Sequence, residues 1–281
     1  MFGNLICAMV TPFNDNNEID YECVTMLVKE IENNKNTAIV VAGSTGEGHS
    51  LSLIEKINLF KYVKSITKLK VIYCISHNNI DLVKDEIKEL NLLSPDGYLV
   101  TVPYYNLPPQ RGIYLYFKEI SMITNIPIVI YNVPSRVGTS IDYSTIRKLI
   151  KSCSNIVGIK EASSDTNLIS LLKKNHPSFL CYIGNDEMYF DALTKGADGI
   201  ISVMSIIYGK EMEELYEEYQ SGYHHLLLDD YLKLVAKLLK QETNPLPIKY
   251  LLKKEGFPSM NLRLPLVELT LEYQRQIDML L

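Results

Sequence analysis

No stretch of this chain stays apolar for the roughly 18–20 residues that a bilayer-spanning helix needs. Basic residues are in the minority. The 28 Lys and Arg against 33 Asp and Glu leave a formal charge of −5 at pH 7, which argues against a nucleic-acid footprint or a polybasic membrane patch. Met1-Phe2-Gly3-Asn4 carries neither a basic n-region nor a long apolar h-region, so no signal peptide is expected. Cysteine is scarce and odd in number: Cys7, Cys23, Cys74, Cys153 and Cys181, mostly in apolar segments. That is the pattern of buried free thiols in a reducing compartment, not of a disulfide framework. The five histidines form no metal motif. His49, His77 and His176 stand alone, and His224-His225 are expected to point to different faces of a helix. No converging set of histidines and carboxylates marks a metal centre. Linkers and low-complexity runs are absent too. The expectation is a soluble cytoplasmic protein without metal, nucleic-acid or membrane partners.

What the chain does have is apolar residues, at 47%, arranged in a repeating order. Short runs with strand character recur at roughly Leu5–Val10, Thr37–Ala42, Lys70–Ile75, Gly97–Val102, Ile126–Asn132, Asn155–Lys160, Phe179–Ile183 and Asp198–Val203. Several are continuous in Val and Ile instead of alternating, which fits parallel strands buried on both faces. Segments with helical periodicity fill most of the gaps. Eight such units without a domain break predict an α/β fold, a (β/α)8 TIM barrel. A doubly wound sheet would alternate as well, but this repeat favours closure. The remaining residues look helical, so the expected division is a barrel over 1–205 and a C-terminal helical extension over 206–281 packed on it.

In such barrels the chemistry gathers at the C-terminal ends of the strands. Here those places hold Thr11-Pro12, Gly43-Ser44-Thr45-Gly46-Glu47, Pro103-Tyr104-Tyr105-Asn106, Tyr131-Asn132-Val133-Pro134-Ser135-Arg136, Lys160-Glu161, Gly184-Asn185-Asp186 and Ser202. Lys160 closes a buried strand, where an ammonium loses hydration and its pKa falls. A depressed pKa is what an amine needs to attack a ketone and form a Schiff base. Tyr131 ends a neighbouring apolar run and could move the protons of that step. Blander readings stand beside these. Lys160 could simply pair with Glu161, Tyr131 could be a core phenol with a satisfied hydroxyl, and Tyr104-Tyr105 could be packed aromatics. The Gly43–Glu47 glycines match neither a Walker nor a dinucleotide fingerprint. Glu213-Glu214 and Glu217-Glu218 read as a solvated helix face.

The Gly43–Glu47 loop, the Tyr131–Arg136 segment and Gly158-Ile159-Lys160-Glu161-Ala162 resemble the dihydrodipicolinate synthase / N-acetylneuraminate lyase family. The likeness runs from Ala8-Met9-Val10-Thr11-Pro12-Phe13 to Leu262-Arg263-Leu264-Pro265, with three motifs in order at barrel-repeat spacing. It implies a pyruvate-dependent class I aldolase on a (β/α)8 barrel that uses no cofactor. Lys160 matches the lysine that forms the imine with pyruvate, and Tyr131 the phenol that shuttles its protons. Thr45 and Ser44 match the hydroxyls that relay those protons and touch the pyruvate carboxylate. Tyr105 matches a tyrosine inserted by a neighbouring subunit, and Arg136 the arginine that holds the second substrate's carboxylate. Gly184 and Ile201 match backbone positions of the pyruvate pocket. The resemblance also implies a homo-oligomer, a tetramer of dimers.

Within the family, Pro134-Ser135-Arg136, Tyr104-Tyr105-Asn106, Asn244-Pro245 and Leu262–Pro265 look like the synthases, which condense pyruvate with L-aspartate semialdehyde in lysine and diaminopimelate biosynthesis. Ser44 and Gly184–Met188 lean towards the lyases, which cleave a 2-keto sugar acid. A barrel that only senses a keto acid is the non-enzymatic alternative. Arg136 is weighted most, because a guanidinium fork suits a carboxylate. Two departures from the family stand out. The third strand continues as Val71-Ile72-Tyr73-Cys74-Ile75-Ser76-His77, bulkier than usual, so larger side chains there must displace something. Among positions resembling the family's lysine site, the one expected to be acidic is Leu82, or Asp81 if the register shifts by one residue, and Lys56 adds a like charge. Weak or absent inhibition by lysine is the expectation.

Overall fold

The computed structural model of the chain describes residues 1–279. Strands β1 (Leu5–Ala8), β2 (Ala38–Val41), β3 (Lys70–Ile75), β4 (Gly97–Thr101), β5 (Ile128–Asn132), β6 (Ile156–Glu161), β7 (Leu180–Ile183) and β8 (Gly199–Ser202) run in parallel. Each pairs with its neighbours in sequence, and β8 returns to β1 to close the barrel. The continuous apolar runs are explained by this closure. β1, β2, β4, β5 and β8 are buried along their whole length, one face towards the barrel interior and the other under the helices.

Helices follow the strands because the intervening segments carry amphipathic faces and local caps. Asp20 accepts from the Cys23 backbone to start Tyr21–Asn33. Ser52 and Glu55 form a reciprocal capping box that starts Leu53–Ile66, satisfying backbone donors that have no partner inside the helix. Asn79 does the same for Ile80–Asn91. The helix Ser205–Gln220 packs against β1 and against Tyr21–Asn33. It thus packs in the outer ring, and the helices Leu226–Leu238, Leu246–Lys254 and Leu271–Asp278 follow it. No helix among the described residues is long and apolar enough to cross a membrane.

The bulk of β3 lies outside the barrel interior. Tyr73 sits under the helices, edge-on to Phe60 and donating to Glu86, while Cys74 faces inward beside Gly43 and Ser76 bonds Thr101. Alternation along a strand sends neighbours to opposite faces. The large phenol therefore displaces space in the helical layer and not in the pocket. His224 and His225 also differ from expectation. They lie in the turn before Leu226–Leu238, His224 stacked on Phe190 and His225 against Glu218.

Arg263 fastens the extension to the barrel. Its guanidinium bonds Glu55, whose carboxyl is held down from 4.5 to about 2, chiefly by that hydrogen bond. The folded state therefore binds this proton less tightly than the unfolded chain. The stability it contributes is complete above 4.5 and is lost as pH falls towards about 2. Glu55→Gln is expected to flatten the acid-side loss of stability within that window, read by urea unfolding across it.

Candidate active site

Parallel pairing sets Tyr131 on β5 directly beside Lys160 on β6. Both residues are 6% exposed, and the Lys160 Nζ lies 4.5 Å from the centre of the Tyr131 ring. Glu161 does not pair with the lysine. It accepts from Asn132 Nδ2 at 2.8 Å and from the Ser163 backbone N–H at 2.7 Å, and burial raises its pKa. A lysine facing the interior and a carboxylate facing the helices follow from the same alternation that sorts the rest of the sheet.

The Gly43–Glu47 loop turns sharply over the end of β2, with Ala42 and Glu47 at φ 56° and 51°. Gly48 returns so close to Ala42 that a Cβ would lie 1.9 Å from its carbonyl oxygen, so the turn accepts only glycine there. The Thr11 hydroxyl donates to the Gly46 carbonyl at 2.6 Å. These contacts leave Ser44 and Thr45 facing the mouth of the barrel.

A cavity of about 350 Å³ opens at this end. Ser44, Thr45, Tyr131, Arg136, Lys160 and Gly184 all line it. Gly184 is required by Lys160, because a Cβ there would sit 2.7 Å from the lysine Cε and 2.9 Å from the Ala162 Cβ. Gly184→Ala is expected to shift the lysine and slow its reaction with a ketone, with little change in Tm. Trapping the imine with borohydride over time would measure this.

Two of the sequence-predicted residues lie elsewhere in the chain. Tyr105 is 87% exposed on the loop after β4, at φ 73°, and does not reach the cavity of its own chain. Ile201 is buried on β8, paired with Ile6, and is not among the cavity-lining residues.

Asp186 also lines the cavity. Its carboxylate accepts from the Ser202 hydroxyl, and burial raises its pKa while that bond and nearby Lys160 oppose the rise. Asn244, from the extension, donates to the Thr45 Oγ1 at 2.8 Å, and its backbone carbonyl accepts from Arg136 at 3.1 Å. Beneath the loop, Glu47 is paired with Lys249 at 2.5 Å, both almost wholly buried. The Lys249 ammonium also lies over the Phe13 ring and donates to the Asn261 carbonyl. Sequence reading set Asn244 within a motif but gave neither it nor Lys249 a place at the site, since neither stands at a strand end. Among the described residues one group has ligand atoms close enough for a cation, Glu214, Glu218 and His225, and none of the three lines the cavity.

The arrangement can hold a small keto acid between an amine, a phenol and two hydroxyls, with a guanidinium at the mouth for a second anion. A model of the dihydrodipicolinate synthetase family matches the chain over residues 1–281. The 4-hydroxy-tetrahydrodipicolinate synthase 1 of Halalkalibacterium halodurans is 37% identical over 282 residues, spanning 99% of this chain and 95% of the relative. The 4-hydroxy-tetrahydrodipicolinate synthase of Thermotoga maritima is 38% identical, spanning 99% and 98%. The crystal structure of a dihydrodipicolinate synthase from Bacillus anthracis superposes with a TM-score of 0.95 at 35% identity, covering 99% of this chain and 97% of that one.

Proposed function

The chain belongs to the dihydrodipicolinate synthetase family, and on that premise we propose that it is a lyase of the class I aldolase type. It condenses pyruvate with L-aspartate semialdehyde to 4-hydroxy-tetrahydrodipicolinate. The observation that carries this reading is the juxtaposition of the buried Lys160 amine and the Tyr131 ring in a cavity that Arg136 also lines.

The Lys160 amine attacks the pyruvate ketone and water leaves, forming an imine. Loss of a methyl proton gives an enamine, whose carbon attacks the aldehyde of the second substrate. Tyr131 carries protons to and from these intermediates. A phenol with a pKa near 10 is a poor base alone, so the Thr45 and Ser44 hydroxyls that share its proton are useful. Arg136 holds the carboxylate of the semialdehyde through its planar fork. Gly184 bounds the pyruvate pocket, whereas Ile201 stays on β8 outside the lining. Tyr105, exposed on its own chain, completes the relay of a second copy, so the working unit is at least a dimer and, in our reading, a tetramer of dimers.

Incubation with pyruvate and borohydride should add the mass of a reduced pyruvate adduct to a Lys160 peptide. No adduct would end both this reading and that of a sugar-acid lyase. Condensation with aspartate semialdehyde, faster than any cleavage of N-acetylneuraminate, then selects the synthase, and the reverse order overturns it.

Inhibition by lysine is expected to be weak. Leu82 is 53% exposed and offers no carboxylate, which carries the expectation alone, because Glu86 at 3.6 Å offsets the like charge of Lys56. Half-inhibition at sub-millimolar lysine would contradict this.

A further inference from the structure

The Thr45 hydroxyl is held from outside the barrel. Asn244 lies 199 residues further along the chain, in the segment before Leu246–Lys254, yet its side-chain amide donates to Thr45 Oγ1 at 2.8 Å. The same residue's backbone carbonyl accepts from Arg136, and all three line one cavity. From this geometry we infer that Asn244 is a positioning residue that sets the direction of the Thr45 hydroxyl, and hence of the proton relay. This rests on the aldolase reading above.

A threonine hydroxyl has one hydrogen to donate and two lone pairs that accept. An amide N–H is a donor, so Asn244 occupies a lone pair and cannot receive the hydroxyl's hydrogen through that contact. That hydrogen is left to point elsewhere, and the cavity side holds Ser44 and Tyr131. Thr45 thus enters the relay as a donor to the groups around the reacting carbon. An acceptor at position 244 would draw the hydrogen away and reverse the relay at this link. The contact also divides its work cleanly. The side chain of Asn244 serves Thr45, whereas its backbone serves Arg136, and a side-chain substitution leaves the carbonyl in place.

That division supplies the test. Asn244→Ala removes the donor, and Asn244→Asp replaces it with an acceptor of the same shape. Both variants are expected to form the borohydride-trapped pyruvate imine on Lys160. For condensation, kcat should fall by about tenfold or more in the alanine variant, and further in the aspartate variant, with KM for the second substrate of the alanine variant nearly unchanged. Because Asn244 acts through Thr45, the double variant Thr45→Val/Asn244→Ala should have the same kcat as Thr45→Val alone. An additive loss in the double variant overturns the proposal, as does an alanine variant that raises KM and spares kcat. An aspartate variant as active as wild type also overturns it, and carries the test if the alanine variant does not fold. A wild-type protein that forms no imine would instead remove the aldolase reading itself, so the two failures are told apart.

Discussion

Lys160→Ala is expected to abolish condensation and the trapped imine together, a loss of at least about a thousandfold, as for removal of other covalent nucleophiles. The size follows from the chemistry. The imine splits a difficult carbon–carbon bond formation into two easier steps, and among the described residues the other lysine that lines the cavity, Lys240, is paired with Glu187. The fold should survive. Lys160 forms no ion pair with its neighbour Glu161, whose carboxylate is satisfied by Asn132 and Ser163, and Asp186, which loses the field of the ammonium, keeps its hydrogen bond from the Ser202 hydroxyl. An unchanged or higher Tm, with no pyruvate adduct, is the combined outcome that identifies Lys160 as the reacting amine. Retention of substantial activity would mean that the carbonyl chemistry lies elsewhere.

The opposite balance is expected at Lys249. Lys249→Met should destabilise the protein by about 3–5 kcal/mol, the usual cost of leaving one partner of a buried ion pair unpaired. For a chain of this size that is a fall in Tm of roughly 6–20 °C. Glu47 would keep its hydrogen bond from the Arg263 backbone at 3.0 Å but lose the ammonium at 2.5 Å. Burial pushes the Lys249 pKa down to about 8, outweighing the attraction of Glu47 that raises it, so the pair is held at a cost that good geometry offsets. Lys249→Met with Glu47→Gln should therefore be milder than Lys249→Met alone, because no charge is stranded. Thermal unfolding of the three variants decides this. If the double variant is the less stable, packing and not charge explains the site.

Lys249 also illustrates what the sequence could not disclose. It sits in a helix, Leu246–Lys254, whose pattern offers several lysines of equal standing. Nothing local distinguishes the one that turns inward to Glu47. Asn244 has the same character. In the sequence it stands only as part of a synthase-like Asn-Pro step, and its work on Thr45 and Arg136 exists only across 199 and 108 residues of chain. Tyr73 was legible as a departure, yet whether its bulk filled the pocket or the helical layer depended on the pleat and on Glu86 being there to receive its hydroxyl.

By itself the sequence determined the alternation of buried strands and helices, because continuous Val and Ile runs and helical periodicity are local signals that each act within a few residues. It also determined that Lys160, Tyr131 and the Gly43–Glu47 loop fall at strand ends, where a parallel barrel gathers them on one rim. Only the tertiary structure decided which later residues reach that rim, that Ser205–Gln220 packs on β1, and that Asn244 meets the Thr45 hydroxyl. Those are contacts between distant segments, chosen by closure of the barrel and by the need to satisfy buried polar groups, and no spacing along the chain encodes them.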